Sequence, residues 1–280
     1  MKSFLLAALL LTVSLPGSSI LLAADAPPPA VNLPNGIKHK AFDVLLKKYV
    51  NAEGLVNYKD WKANAADMKA LDDYLGQYAP KPDQPAEGDE LIASAINAYN
   101  AFGIRWILSN YPTESILALK DSFEAKRHQI GGETVSLEAI EHGTLRPKIG
   151  WRVHSAIVCC ARSCPPLQKS AYLPETVNAQ IDAAYKAWLA REDLNKFVPA
   201  EKKVEISSIF KWFEADFKSG GGIGGILTKF APEAYRQFLG SNDFKIEYMK
   251  YHWGLNDAAG QGKDYSGADK FWDSITGRFK

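Results

Sequence analysis

Charge of one sign, cysteine and long apolar runs are what this sequence has little of. Its 280 residues carry 33 Lys and Arg against 32 Asp and Glu, a formal net charge of +1. No large field draws a phosphate backbone or an anionic lipid surface, and no Lys/Arg block stands out. Nucleic acid is not an expected partner. A bilayer span needs about 20 apolar residues, and no unbroken run is that long, so no integral membrane segment is expected once an export signal is removed. Nucleotide and hydrolase signatures are missing too. Gly220, Gly222 and Gly225 match GxGxxG literally, but they follow an expected helix rather than a strand. No GK[ST] follows, Ser163 lies in no GxSxG context, and no HExxH occurs. No cofactor is expected.

Cysteine is scarce in a more informative way. The chain has three, and Cys159, Cys160 and Cys164 fall within six positions. Their reading depends on compartment. Lys2 precedes an apolar run from Phe4 to Leu15, then Pro16-Gly17, Ile20 to Ala24 and the small-residue site Ala24-Asp25-Ala26. This is the order of a secretory signal, expected over residues 1–26. The segment holds no cysteine, which argues against a lipid anchor. The expected location is periplasmic or secreted, where disulfides persist. Three cysteines cannot all pair within one chain, so at least one stays free or pairs outside it, and Cys159 or Cys160 with Cys164 is the conceivable pair.

Residues 27–40 are Pro-rich and read as a disordered lead, and residues 257–280 as a polar tail. Between them, Phe42, Leu45, Leu46 and Tyr49 sit at helical spacing, and Trp61 to Tyr78 reads as a second helix. Asp89 to Leu108 is the strongest helix, capped by Asp89 and apolar nearly all round. It nevertheless carries Asn97 and Asn100, which either tie down a neighbouring loop or line a site. Gly131-Gly132 marks a hairpin, and Ser136 caps a short helix ended by Gly143. Val153 to Cys159 reads as a buried strand running into a loop at Ala161 to Pro166. Val177, Ile181, Ala184 and Trp188 share a helix face. Val204 to Ile206 is a short strand, Ser207 caps a helix, Gly220 to Gly225 reads as a turn, and Phe244 to Met249 as a last strand. The fold expected is one α+β domain, mostly helical around a small, largely antiparallel sheet.

Several of these segments together resemble one family. They are Ile96-Asn97-Ala98-Tyr99-Asn100-Ala101, Ile140-Glu141-His142 with Leu145-Arg146, and His154 with Cys159 and Cys164-Pro165. Downstream come Ser207 to Phe210 with Trp212, Asp216-Phe217, and Tyr251, Trp253, Leu255 and Asn256. The pattern is similar to the family catalogued as domain of unknown function 547, over about Phe42 to Asn256, so residues 41–256 form the expected domain. It departs at His252, where the family's pattern has Asp. The resemblance implies membership and an α+β fold, not an activity.

The chemistry expected is that of a thiol. A nucleophilic cysteine needs a base within hydrogen-bond reach and a group that orients the base. On one strand His154 and Cys159 would lie about 16 Å apart on opposite faces, so His154 is not the expected base. His142 is, with Cys159 as nucleophile and Asn97, Asn100 and Arg146 around them. Glu141, His154, Cys160, Cys164 and Asp216 are structural or alternative site residues, with Asp216 a candidate orienter. The activity read from this layout is a cysteine-dependent hydrolase or acyl transferase on peptide or amide bonds in the cell envelope. It matches thiol-peptidase sites in residue types only. The alternative is a non-catalytic periplasmic binding or scaffold protein, with Cys159 or Cys160 disulfide-bonded to Cys164 and an inert third thiol. A weaker alternative is a metal site of His142, His154, Cys159 and Cys164.

Overall fold

The computed structural model describes residues 27–260 and residue 264. The expected export signal and most of the expected tail lie outside the described residues. The segment expected as a disordered lead is instead a strap. Val31, Leu33 and Ile37 are buried in the core. The Val31 N–H donates to Thr144 Oγ1 at 2.9 Å, and the Leu33 carbonyl accepts from the Ala86 N–H at 2.8 Å. Composition misled here, because three well-placed apolar side chains outweigh a proline-rich background.

Helix α1, Lys40–Tyr49, buries Phe42, Leu45, Leu46 and Tyr49, the face its spacing predicts. The helix expected over Trp61 to Tyr78 is two, α2 (Tyr58–Ala63) and α3 (Ala65–Gly76). The break falls at Asn64, whose side chain accepts the Asp67 N–H at 3.0 Å and starts α3. Asn caps because its side-chain oxygen replaces a missing helical acceptor. Helix α4, Gly88–Asn110, runs through the centre, with its middle buried on every side. Asp89 does not cap it; its carboxylate accepts from Asn178 Nδ2 at 3.1 Å.

Strands β1 (His128–Ile130) and β2 (Glu133–Val135) pair antiparallel around Gly131-Gly132, both at positive φ, as the sequence predicts. The Ser136 hydroxyl accepts the Ala139 N–H at 3.1 Å and opens a helix, but Gly143 does not end it. Residues Ala139–Leu145 form a π-helix that continues into α5, Arg146–Ile149. Gly143 is required for close approach instead: a Cβ there would meet the carbonyl oxygens of Pro29 and Pro28 at 2.5 and 2.6 Å. The strap thus packs directly on the π-helix. Such wide turns recur at functional sites.

The strand expected over Val153 to Cys159 is absent. Gly150–Ser155 is a 3₁₀-helix, and the chain beyond it is irregular. Asn100 supplies the reason. Its Nδ2 donates to the Ala156 carbonyl at 2.9 Å, and its Oδ1 accepts the Val158 N–H at 2.8 Å. One buried side-chain amide therefore does what a neighbouring strand would do for this backbone.

Helix α6, Val177–Leu189, buries Val177, Ile181, Ala184 and Trp188. A three-stranded sheet follows, ordered β3 (Lys196–Val198), β4 (Lys203–Ser207), then β5. Strands β3 and β4 are antiparallel. Between β4 and β5 lie α7 (Ile209–Trp212), α8 (Glu214–Phe217), α9 (Gly222–Phe230) and α10 (Arg236–Gly240). The expected Gly220–Gly225 turn is mostly the start of α9, because Ile223, Ile226, Leu227 and Phe230 make one buried face. Strand β5, Lys245–Met249, returns parallel to β4. The described chain is a mostly helical α+β domain. Its aromatic content is largely core: Trp61, Trp188 and Trp253 are fully buried, and Trp188 stacks on Phe210 at 4.9 Å.

Candidate functional site

The loop after the 3₁₀-helix is laced to the chain's C-terminal segment. The Arg162 N–H donates to the Gly254 carbonyl at 2.8 Å, and the Asn256 N–H to the Cys160 carbonyl at 3.0 Å. The His252 N–H donates to Ser163 Oγ at 2.8 Å. These bonds bring Tyr251 against the cysteines. Cys159 and Cys164 form a disulfide with Cα atoms 6.4 Å apart. Cys160 takes a positive φ between them and turns into the core, where burial pushes its thiol up to about 12. It is the inert thiol of the structural alternative.

Two donors reach the Cys164 sulfur, the Tyr251 hydroxyl at 3.1 Å and the Cys159 N–H at 3.1 Å. The Tyr251 oxygen is also 3.3 Å from Cys159 Sγ. Cys164 is buried, whereas Cys159 is partly open to solvent. Both sulfurs line a cavity of about 40 Å³ with Tyr99, Glu141, His154 and Tyr251. That is room for water, not for a peptide.

Behind the cavity lies a charge system centred on Asp216. Arg146 grips it bidentately, Nε to Oδ2 and Nη2 to Oδ1, both at 2.8 Å. His154 Nε2 is 2.7 Å from Oδ2. Burial works against the Asp216 charge, but the bonds from His154 and Arg146 outweigh it and hold the carboxyl well below its ordinary range. Burial pushes His154 down despite that partner, so its ring is neutral with the proton on Nε2, facing the carboxylate. The ring also stacks on Phe213 at 4.2 Å.

His142 is differently placed. Burial and then the Arg146 charge lower its pKa to about 3, so it is neutral. The helix runs on past His142 and places a guanidinium one turn later, which disfavours an imidazolium there. Arg146 Nη1 lies 2.8 Å from His142 Nδ1 and, being donor only, takes its lone pair. His142 is therefore not a free base. His154, not His142, lines the cavity with Cys159, because a 3₁₀-helix rather than a strand carries it there. Asp216 orients His154, not His142.

Glu141 is buried in the same cavity. Desolvation raises its pKa to about 7 against the pull of Arg146 and a hydrogen bond from Tyr99. Asn97 holds Tyr172, donating to its carbonyl at 2.8 Å and accepting its N–H at 2.9 Å. Asn97 and Asn100 are thus placed as ties on backbone. Arg146 is engaged with Asp216 and His142, which is not the posture of an oxyanion donor. The metal alternative is not assembled: among the described residues no group of three or more His, Cys, Asp and Glu could hold an ion. Both sulfurs are in the disulfide, and one nitrogen of each histidine is already bonded.

A larger groove of about 460 Å³ lies elsewhere, between α3, α4 and β1, with Arg105, Trp106, Arg127 and His128 on its walls. It holds neither cysteines nor Glu141.

The family model described as Protein of unknown function, DUF547, matches residues 84–189. Over that stretch the chain is similar to the DUF547 family. No curated protein matches the chain, and no solved structure does. The DUF547 segment supplies Asn97, Asn100, Glu141, His142, Arg146, His154 and all three cysteines. Tyr251, which lines the cavity, and Asp216, which holds His154 from behind it, come from outside that stretch. Residue-by-residue reading missed Tyr251 and Tyr99 as site groups. The lone signal for Tyr251 was its place in the wider pattern ending at Asn256.

Proposed function

We propose that this is an exported protein whose Cys159–Cys164 pair exchanges disulfides with external thiols. The observation that carries this reading is the pair of donors on Cys164 Sγ. A disulfide sulfur is a weak acceptor and gains little from such bonds; a departing thiolate gains much more. The accessible sulfur is on the other side of the bond, at Cys159. An incoming thiolate attacks Cys159 Sγ, the S–S bond breaks, and its electron pair goes to Cys164 Sγ beneath the Tyr251 hydroxyl and the Cys159 N–H. A second substrate thiolate then attacks the substrate sulfur of the mixed disulfide and releases Cys159 as a thiolate. Substrate dithiol becomes disulfide, and the protein pair takes up two electrons. The small cavity suits a sulfur entering from outside better than an enclosed acyl group.

A second reading is favoured by one observation, the His154–Asp216 pair beside Cys159. With the disulfide reduced, Cys159, His154 and Asp216 have the order of a thiol hydrolase or acyl transferase for envelope peptide or amide bonds. The structural-scaffold alternative makes neither use of the cysteines.

The experiment is equilibration of the mature protein in graded dithiothreitol buffers, with each cysteine's state read by differential alkylation and peptide mass mapping. Exchange predicts reversible reduction above about −300 mV and a trapped mixed disulfide at Cys159. A pair that stays oxidised below that potential and traps no thiol at Cys159 sinks the reading and leaves the scaffold. Rapid acylation of the reduced protein by an amide-based electrophile, lost in His154→Ala, moves the assignment to the hydrolase.

A further inference from the structure

Opening the Cys159–Cys164 disulfide leaves a proton unassigned. Resting on that exchange, we infer that Glu141 is the proton carrier of the pair, giving its carboxylic proton to Cys164 when the disulfide opens and recovering it when the disulfide closes. Glu141 and both cysteines line one cavity of about 40 Å³, which has room for water to relay a proton between carboxyl and sulfur. On opening, the S–S bond breaks, the Glu141 O–H breaks, an S–H forms on Cys164 and a carboxylate remains, which shares that one proton with Cys164 until the disulfide closes and returns it.

The other groups facing Glu141 do not serve. From α4, the Tyr99 hydroxyl is bonded to Glu141, and burial lifts it far above the neutral range. Burial does the same to Tyr251 on the C-terminal segment. His154, on the 3₁₀-helix, keeps its proton for Asp216 of α8. On the π-helix itself, His142 Nε2 stands 4.0 Å from Glu141 Oε1, and its ring is neutral. Arg146 of α5 is permanently charged and gripped by Asp216. The charge of Glu138, just before the π-helix, favours a protonated Glu141, as does that of Asp216. Glu141 is therefore the acid of this cavity that holds a proton near neutrality and can release it. Burying such a group without an ion-pair partner costs stability, which a purely structural site has no reason to retain.

The test is the pH dependence of the midpoint potential, wild type against Glu141→Gln, in dithiothreitol buffers across pH 5.5–8.5. In the oxidised protein Glu141 loses its proton as pH rises through about 7. In the reduced protein Glu141 and Cys164 keep one shared proton to higher pH, because two anions in one small cavity repel. Above neutrality, reduction takes up one more proton than below it. The equilibrium constant then changes a further tenfold per pH unit, a steepening of about 30 mV per unit for a two-electron couple. The wild type is expected to show this break and Glu141→Gln a single slope. Equal slopes in both proteins overturn the Glu141 assignment and leave the exchange standing. An irreducible pair overturns the exchange itself. If Glu141→Gln does not fold, the infrared difference spectrum of the wild type on reduction at pH 7 decides: no change in any protonated-carboxyl C=O band sinks the inference.

Discussion

The hydroxyl of Tyr251 donates to the sulfur of Cys164 at 3.1 Å, between residues 87 apart in the chain. A hydrogen bond to a charged acceptor is worth roughly 1.5–3 kcal/mol, about twice a neutral one. The bond therefore strengthens as negative charge develops on Cys164, whose one proton is shared with Glu141, and it favours the reduced form.

Tyr251→Phe removes that donor and keeps the ring, which packs at 4.6 Å from Trp253 and 4.8 Å from Trp212. The fold is expected to survive. The midpoint potential should fall by about 30 mV for each 1.4 kcal/mol lost, and exchange with dithiothreitol should slow roughly tenfold. Redox titration and stopped-flow exchange read the two quantities. Unchanged values in a folded variant would mean that the hydroxyl only fills space.

Asn100→Ala tests the tie that replaces the missing strand. It leaves the Ala156 carbonyl and the Val158 N–H, both buried, without their partner. Each such orphan costs roughly 1–3 kcal/mol. Urea unfolding should show a loss of about 2–4 kcal/mol with little change in slope. A loss below about 1 kcal/mol would show that the irregular chain does not depend on the amide.

That tie also explains where sequence reading succeeded and failed. The faces of α1 and α6 were legible, because Phe42, Leu45, Leu46 and Tyr49, like Val177, Ile181, Ala184 and Trp188, repeat at helical spacing. The hairpin was legible because Gly131-Gly132 fits a turn that needs positive φ. Val153 to Cys159 was not. An apolar run reports burial, and nothing local says that Asn100 will occupy its hydrogen bonds. With the 3₁₀-helix in place of that strand, His154 reaches the cavity that a strand would have kept it from. Asn97 and Asn100 stood out as polar groups on an apolar helix, and tying backbone was one of the two readings open for them. The partnership of Arg146 with Asp216 spans 70 residues and leaves no local trace.

Glu141 makes stability fall with pH. Its pKa rises from 4.5 to about 7 on folding, so the folded state binds more protons than the unfolded state between those values. Its stabilising contribution is full below about 4.5 and is lost as pH rises through about 7. Glu141→Gln removes this loss. Relative to wild type, the variant should gain roughly 3 kcal/mol between about pH 4 and pH 8. Urea midpoints at both pH values measure it. A constant offset between the two proteins would show that Glu141 titrates alike folded and unfolded.

Two buried histidines separate hydrolase chemistry from exchange in the reduced protein. His142 accepts from Arg146 through Nδ1, and His154 binds Asp216 through Nε2, each at hydrogen-bond distance. Only His154 lines the cavity with Cys159. Its Nδ1 bears a lone pair when Nε2 carries the proton. If Cys159 is activated by an imidazole, His154→Ala should slow its alkylation at pH 7 about tenfold or more, and His142→Ala should not. His142→Ala should instead lower stability, since the Arg146 guanidinium loses an acceptor in a mostly buried place. A reduced Cys159 indifferent to both variants would remove the hydrolase reading while leaving exchange intact, because exchange draws on Tyr251 and the Cys159 N–H rather than on an imidazole. Sensitivity to His142 alone would mean that the two rings exchange places on reduction, and that Arg146 lets go of His142 when the disulfide opens.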